Sequence, residues 1–83
     1  MKVKTFQSNY DITEFHSYIT QINDDYIHVV ELLLNTTELN FIEKDFANIF
    51  VIETDKQTYI FSGYEVDEYY TVENGLVKVV CIK

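Results

Sequence analysis

Four carboxylates (Glu65, Asp67, Glu68 and Glu73) and three tyrosines (Tyr64, Tyr69 and Tyr70) fall within residues 62–75, a stretch with no basic side chain. Carboxylates at that density could serve acid–base catalysis, bind a hard cation, or present negative charge to a basic surface. Acid–base work needs a pocket that displaces pKa values, and 83 residues leave little volume for one. Presentation of charge suits the spacing. In an extended strand Glu65 and Asp67 share a face about 7 Å apart, comparable with neighbouring phosphates on one DNA strand. The tyrosines beside them are rigid anchors of the kind that dominate binding energies. The binding set read from the sequence is therefore Tyr64, Glu65, Asp67, Glu68, Tyr69 and Glu73, with Asp24 and Asp25 as a second contact. Charge on an edge strand also has a purely structural use, because it blocks sheet-to-sheet aggregation.

Other chemistries find less support. His16, His28 and Cys81 are the only nitrogen and sulfur metal ligands, and they lack the close pairs of structural zinc sites. Asp24-Asp25 in "INDDY" lacks the alternating ligands and closing Glu of a calcium loop. Cys81, in "VKVVCIK", falls on the apolar face of a strand, where a thiol is inert. Gly63 and Gly75 stand alone, so no glycine-rich phosphate cradle exists. The expectation is a chain that is not an enzyme and has no metal or cofactor.

Composition sharpens this. All fourteen acids lie between Asp11 and Glu73, where Lys44 and Lys56 are the only bases. Two lysines against fourteen acids leave −12 in that span, although the whole chain carries −8. There is no arginine, the favoured clamp for phosphate and guanine, so direct nucleic-acid binding is not expected. A single cysteine excludes an intrachain disulfide and suits a reducing compartment. "MKVKTFQSNYD" lacks the apolar run of a signal peptide, and "VVELLL" is too short to span a bilayer. These features predict a cytoplasmic protein with no membrane partner.

The elements that must hold the acids are legible in part. Asn74-Gly75 separates two β-rich runs, the strongest hairpin signal in the chain. A regular type I′ turn pairs Glu73 with Leu76, Val72 with Val77, Thr71 with Lys78 and Tyr70 with Val79. Tyr70, Val72, Val77, Val79 and Cys81 then form a core face, and Tyr69, Thr71 and Glu73 the opposite one. "NIFVIETDKQTYIFSG" reads as a second hairpin closed by a polar "TDKQ" loop, with Gly63 bending the chain between the two. Leu39, Ile42, Phe46 and Ile49 recur at helical spacing and predict a helix over about 37–47, capped by Asn35 or Thr37. Ile12, Phe15, Ile19 and Ile22 fit a helix too, but their β-rich neighbours face the apolar run Tyr26–Leu34 across "INDD" and favour two strands. The reading is a single α+β domain over 1–83: a small antiparallel sheet of five to six strands with one short helix.

The order "HVVELLLNTTELNFIEKDFANI…TYIFSGYEVDEYYTVENGLVKVVCIK" resembles small acidic proteins of phages and prophages of low-GC Gram-positive bacteria. The lack of Arg and Pro suits an AT-rich genome in the same way. That resemblance implies one of two roles. One is a phage-encoded inhibitor that docks into a basic groove of a host nucleic-acid-handling or defence protein by DNA mimicry, as some anti-CRISPR proteins do. The other is a minor virion or tail-assembly component. Both imply a protein partner, and homodimerisation stays open.

Overall fold

Opposed β-rich runs in the first third of the chain become two long paired strands. The computed structural model describes residues 1–83 and places β1 at Lys2–Lys4, β2 at Asn9–Ile22 and β3 at Asp25–Asn35. A short helix, α1 (Ile42–Phe46), precedes β4 (Phe50–Glu53), β5 (Thr58–Phe61), β6 (Glu65–Glu73) and β7 (Leu76–Ile82). The seven strands form one sheet in the order β5-β4-β1-β2-β3-β7-β6, every neighbouring pair antiparallel. At 6% helix the protein is largely sheet with a small helix, so the α+β expectation is too helical. The strand beyond the expected five or six is β1, whose three residues are too few to show a period.

The sheet is rolled. β2 pairs with β1 through Asn9–Asp11 and with β3 from Ile12 onward, with a bulge between Ile12 and Glu14. In a flat sheet β5 would lie three strand spacings, about 14 Å, from β2. Instead the Phe15 ring of β2 is 5.1 Å from that of Tyr59 on β5. The bulge and the shared strand let the sheet turn back and close over its own aromatic side chains. The two outermost strands are thereby joined directly by Ser62–Tyr64.

Gly63 makes that corner. Its φ of 76° is left-handed, and a Cβ there would meet only the Lys83 side chain, at an ordinary 3.6 Å. Backbone conformation rather than space therefore requires glycine. Lys83 closes the corner by donating from Nζ to the Ser62 carbonyl at 3.0 Å and lying 5.5 Å from the Tyr64 ring centroid. Gly63→Ala is expected to cost about 1 kcal/mol, read as a lower urea midpoint with an unchanged slope.

The predicted helix is cut to five residues by local competition. The Thr36 hydroxyl accepts the Glu38 amide and the Glu38 carboxylate accepts the Asn40 amide. Residues 36–40 thus satisfy their own backbone in turns, the usual alternative for such side chains. Neither Asn35, which ends β3, nor Thr37 caps the helix; Phe41 occupies that position without a side-chain bond. So short a helix is not stable alone. It persists because Ile42 and Phe46, one turn apart, are fully buried, Phe46 lying 5.2 Å from Phe50 and 6.0 Å from Tyr10. Leu39 packs at the core margin, and Ile49 is exposed.

The final hairpin has the expected Asn74-Gly75 turn but not the expected register. Glu73 faces Leu76, and then Thr71, not Val72, faces Val77. Val72 is an extra residue that turns residues 68–71 to the other face, until the shift at Asp67 restores the alternation. Tyr69 and Thr71 consequently share the face of core residues Val77 and Val79, and Tyr70 pairs with Lys78 facing outward. Tyr70 is 46% and Val72 52% exposed, a correction to their core assignment. A second register shift sets Asp67 outside the pairing.

Candidate functional site

Cross-strand register puts a grid of side chains on the outer face of β2, β3, β7 and β6. One row runs Glu14, Leu33, Lys78, Tyr70; the next runs His16, Glu31, Val80, Glu68; a third runs Tyr18, Val29, Ile82, Glu65. Glu73, opposite Leu76, extends the β6 column. Val29 is buried yet outside the core cluster, as a residue covered on this second face must be. The face therefore has a mainly apolar middle (Leu33, Val29, Val80, Ile82) crossed by the Glu31–Lys78 ion pair, with Glu14 on its β2 margin and Glu65, Glu68 and Glu73 along its β6 margin.

The sequence-derived residues separate accordingly. Glu65, Glu68 and Glu73 share the outer face of an edge strand and are exposed, with no lysine or histidine nitrogen within 4 Å of their carboxylates. Glu65 and Glu68, opposite Ile82 and Val80, stand about 7 Å apart, with Glu73 about 13 Å further on. The phosphate-like pair is thus Glu65 with Glu68, not Glu65 with Asp67, because Asp67 lies in a bulge. Tyr64 is 8% exposed and belongs to the core, 6.1 Å from Phe50 and 5.7 Å from Phe61, so it is no surface anchor. Tyr69 is half-buried against the core. The tyrosine that does stand beside the acids is Tyr70, which only knowledge of the bulge could have revealed. Asp24 and Asp25 lie at the tip of the β2–β3 hairpin. Asp25 is four residues beyond Val29, which lies level with Glu65. It is therefore about 13 Å along β3 and two strands, about 10 Å, across from the β6 row.

An open pocket of about 270 Å³ crosses this face. Tyr70 and Val72 form one wall, Glu14 and His16 the other, and Glu31, Leu33 and Lys78 line it between them. Lys78 Nζ is 2.9 Å from Glu31 Oε1. This contact holds the Glu31 carboxyl below its usual range and raises the lysine, while Glu31 also raises the Tyr18 hydroxyl. Glu14 has no lysine; its nearest cation-forming neighbour is His16 Nε2 at 4.0 Å. Sequence spacing gave no sign of this pocket, since its residues come from four strands.

Two buried groups lie on the other side of the sheet. Asp45 is 2% exposed; Tyr10 donates its hydroxyl to one carboxylate oxygen, and the other, Oδ1, has no partner. Burial, and then the Asp45 hydrogen bond, push Tyr10 up to about 12. Folding holds the phenol proton more tightly than the unfolded chain does. Its contribution is complete below pH 10 and is lost as pH climbs through about 12. Tyr10→Phe would leave the buried carboxylate with neither oxygen bonded. It is expected to cost about 2 kcal/mol and to flatten the alkaline limb of a stability–pH curve.

Cys81 is fully buried, and desolvation pushes its thiol up to about 12. It should resist iodoacetamide at pH 8 in the native protein and react at the rate of a free thiol in denaturant. No group of three or more His, Cys, Asp or Glu side chains is arranged to hold a metal ion, and no helix is long and apolar enough to cross a membrane. No protein-family model matches the chain, and neither a curated protein nor a solved structure shows significant similarity to it.

Proposed function

We propose that this chain is a non-enzymatic binding module that docks the outer face of β2, β3, β7 and β6 against a basic protein surface. The supporting observation is the layout of that face: a mainly apolar middle crossed by one ion pair, Glu31–Lys78, and edged by carboxylates, with Tyr70 turned outward beside Glu65, Glu68 and Glu73. Apolar centres with polar rims are the anatomy of protein interfaces. Carboxylates on a rigid edge at phosphate-like spacing suit a groove that otherwise holds DNA. In its specific form the reading is a phage-encoded inhibitor of a host nucleic-acid-handling or defence protein. Affinity capture from a Gram-positive host lysate, identified by mass spectrometry, tests it. Capture of a nucleic-acid enzyme that duplex DNA and added salt both displace is expected, and a captured partner indifferent to both would overturn the mimicry.

A second reading draws on a different feature. The β2–β3 hairpin runs past the last β7 pair, Val29 with Ile82, and exposes Ile19, Ile22 and Tyr26, the last at 71%. An apolar projecting arm fits assembly into a particle, the role of a minor virion or tail component. Co-purification with capsid or tail subunits, insensitive to salt, would favour it.

A further inference from the structure

The pocket on the outer face has walls of opposite character. Tyr70 and Val72 offer an aromatic face and a branched methyl surface, both exposed because the Val72 bulge reverses the register that a regular hairpin would impose. A bulge that moves two apolar residues from core to surface gives up burial, and bulges of this kind commonly re-aim side chains at working sites. On the opposite wall, Glu14 is a carboxylate with no lysine partner. Lys78, the one lysine in the lining, is already bound to Glu31. The site therefore combines uncommitted negative charge with an apolar slot, inside a chain whose net charge is −8.

We propose that this pocket receives an arginine side chain from the partner. The proposal rests on the docking face above and names the group that enters it. At about 270 Å³ the pocket falls below the usual size for cofactors and drug-like ligands and suits one long side chain. The methylene stem would lie along Val72 and Leu33 with the Tyr70 ring beside it, and the guanidinium would face Glu14. Arginine suits this better than lysine because its planar head forks onto a carboxylate with two hydrogen bonds, which an ammonium cannot do. A purely apolar guest would leave Glu14 and the Glu31–Lys78 pair to be desolvated without return.

The test is a titration of the intact protein with N-acetyl-L-arginine methylamide, followed by two-dimensional NMR, with the lysine and leucine analogues as controls. Saturable shifts centred on Leu33, Tyr70 and Val72 are expected. Affinity should be about fivefold lower for Tyr70→Ala, through lost packing of the stem on the ring, with a further drop for Glu14→Gln, both exposed positions whose spectra should stay dispersed. No saturable shift, equal binding of the leucine analogue, or shifts spread evenly over every acidic residue would overturn the proposal. With a captured partner in hand, the two readings fail differently. If Tyr70→Ala and Glu14→Gln bind the partner as the wild type does, but charge reversal on β6 abolishes binding, the arginine pocket is refuted and the docking face stands. If the β6 reversal has no effect, the docking face falls.

Discussion

Phe46→Ala is expected to remove most of the protein's stability. Phe46 is fully buried and bridges the roll of the sheet, with Tyr10 on one side and Phe50 on the other. Replacing a buried Phe by Ala costs about 3–5 kcal/mol, against the roughly 5–15 kcal/mol that holds a whole domain. A chain of 83 residues buries a smaller share of its surface than a larger domain and sits near the lower end. The helix is weakened as well, since Ile42 is the one buried apolar residue left to anchor its five residues. Urea unfolding followed by circular dichroism should show a midpoint close to zero denaturant. A loss under about 1 kcal/mol would mean that α1 is an ornament on the sheet and not its plug.

The second large effect concerns binding and not stability. Reversing Glu65, Glu68 and Glu73 to Lys should lower the association rate with a captured partner by about 100-fold, because steering by exposed charges acts mainly on the on-rate. The melting temperature should move little. None of the three makes an ion pair within 4 Å, and all are exposed. Reversing Asp11, Glu43 and Asp55 instead changes the net charge by the same amount at exposed positions off this face. That control should leave most of the rate intact. If both triples slow association equally, overall charge and not the β6 edge attracts the partner.

How much of this was legible in the sequence varies along the chain for physical reasons. Turns dictated by local conformation could be read directly: Asn74-Gly75, the "TDKQ" loop and the bend at Gly63 all lie where their residue types require them. The strand character of residues 9–35 was legible from β-branched and aromatic density, although a helical stripe competed. The helix was overstated because apolar spacing over residues 39–49 says nothing about Thr36 and Glu38 bonding their own turn. Bulges were invisible. Alternation assumes one residue for one residue, so a single extra residue at Val72 reversed Tyr69, Tyr70 and Thr71 together. The acidic row survived that error in altered form: Glu65, Glu68 and Glu73 remain, Asp67 leaves the row, and Tyr70 stands where Tyr64 and Tyr69 were expected. The pocket lay beyond reach, because a row such as Glu14, Leu33, Lys78 and Tyr70 exists only once the order β2-β3-β7-β6 is known.

The most direct measurement is a hydrogen-exchange footprint of the chain bound to its captured partner. Added protection is expected over β6, the flanking residues of β7 and the facing residues 14–18 and 29–33 of β2 and β3, with none at the β5 edge or the 19–28 arm. Protection confined to the arm, with β6 exchanging as it does in the free protein, would contradict the proposed docking face.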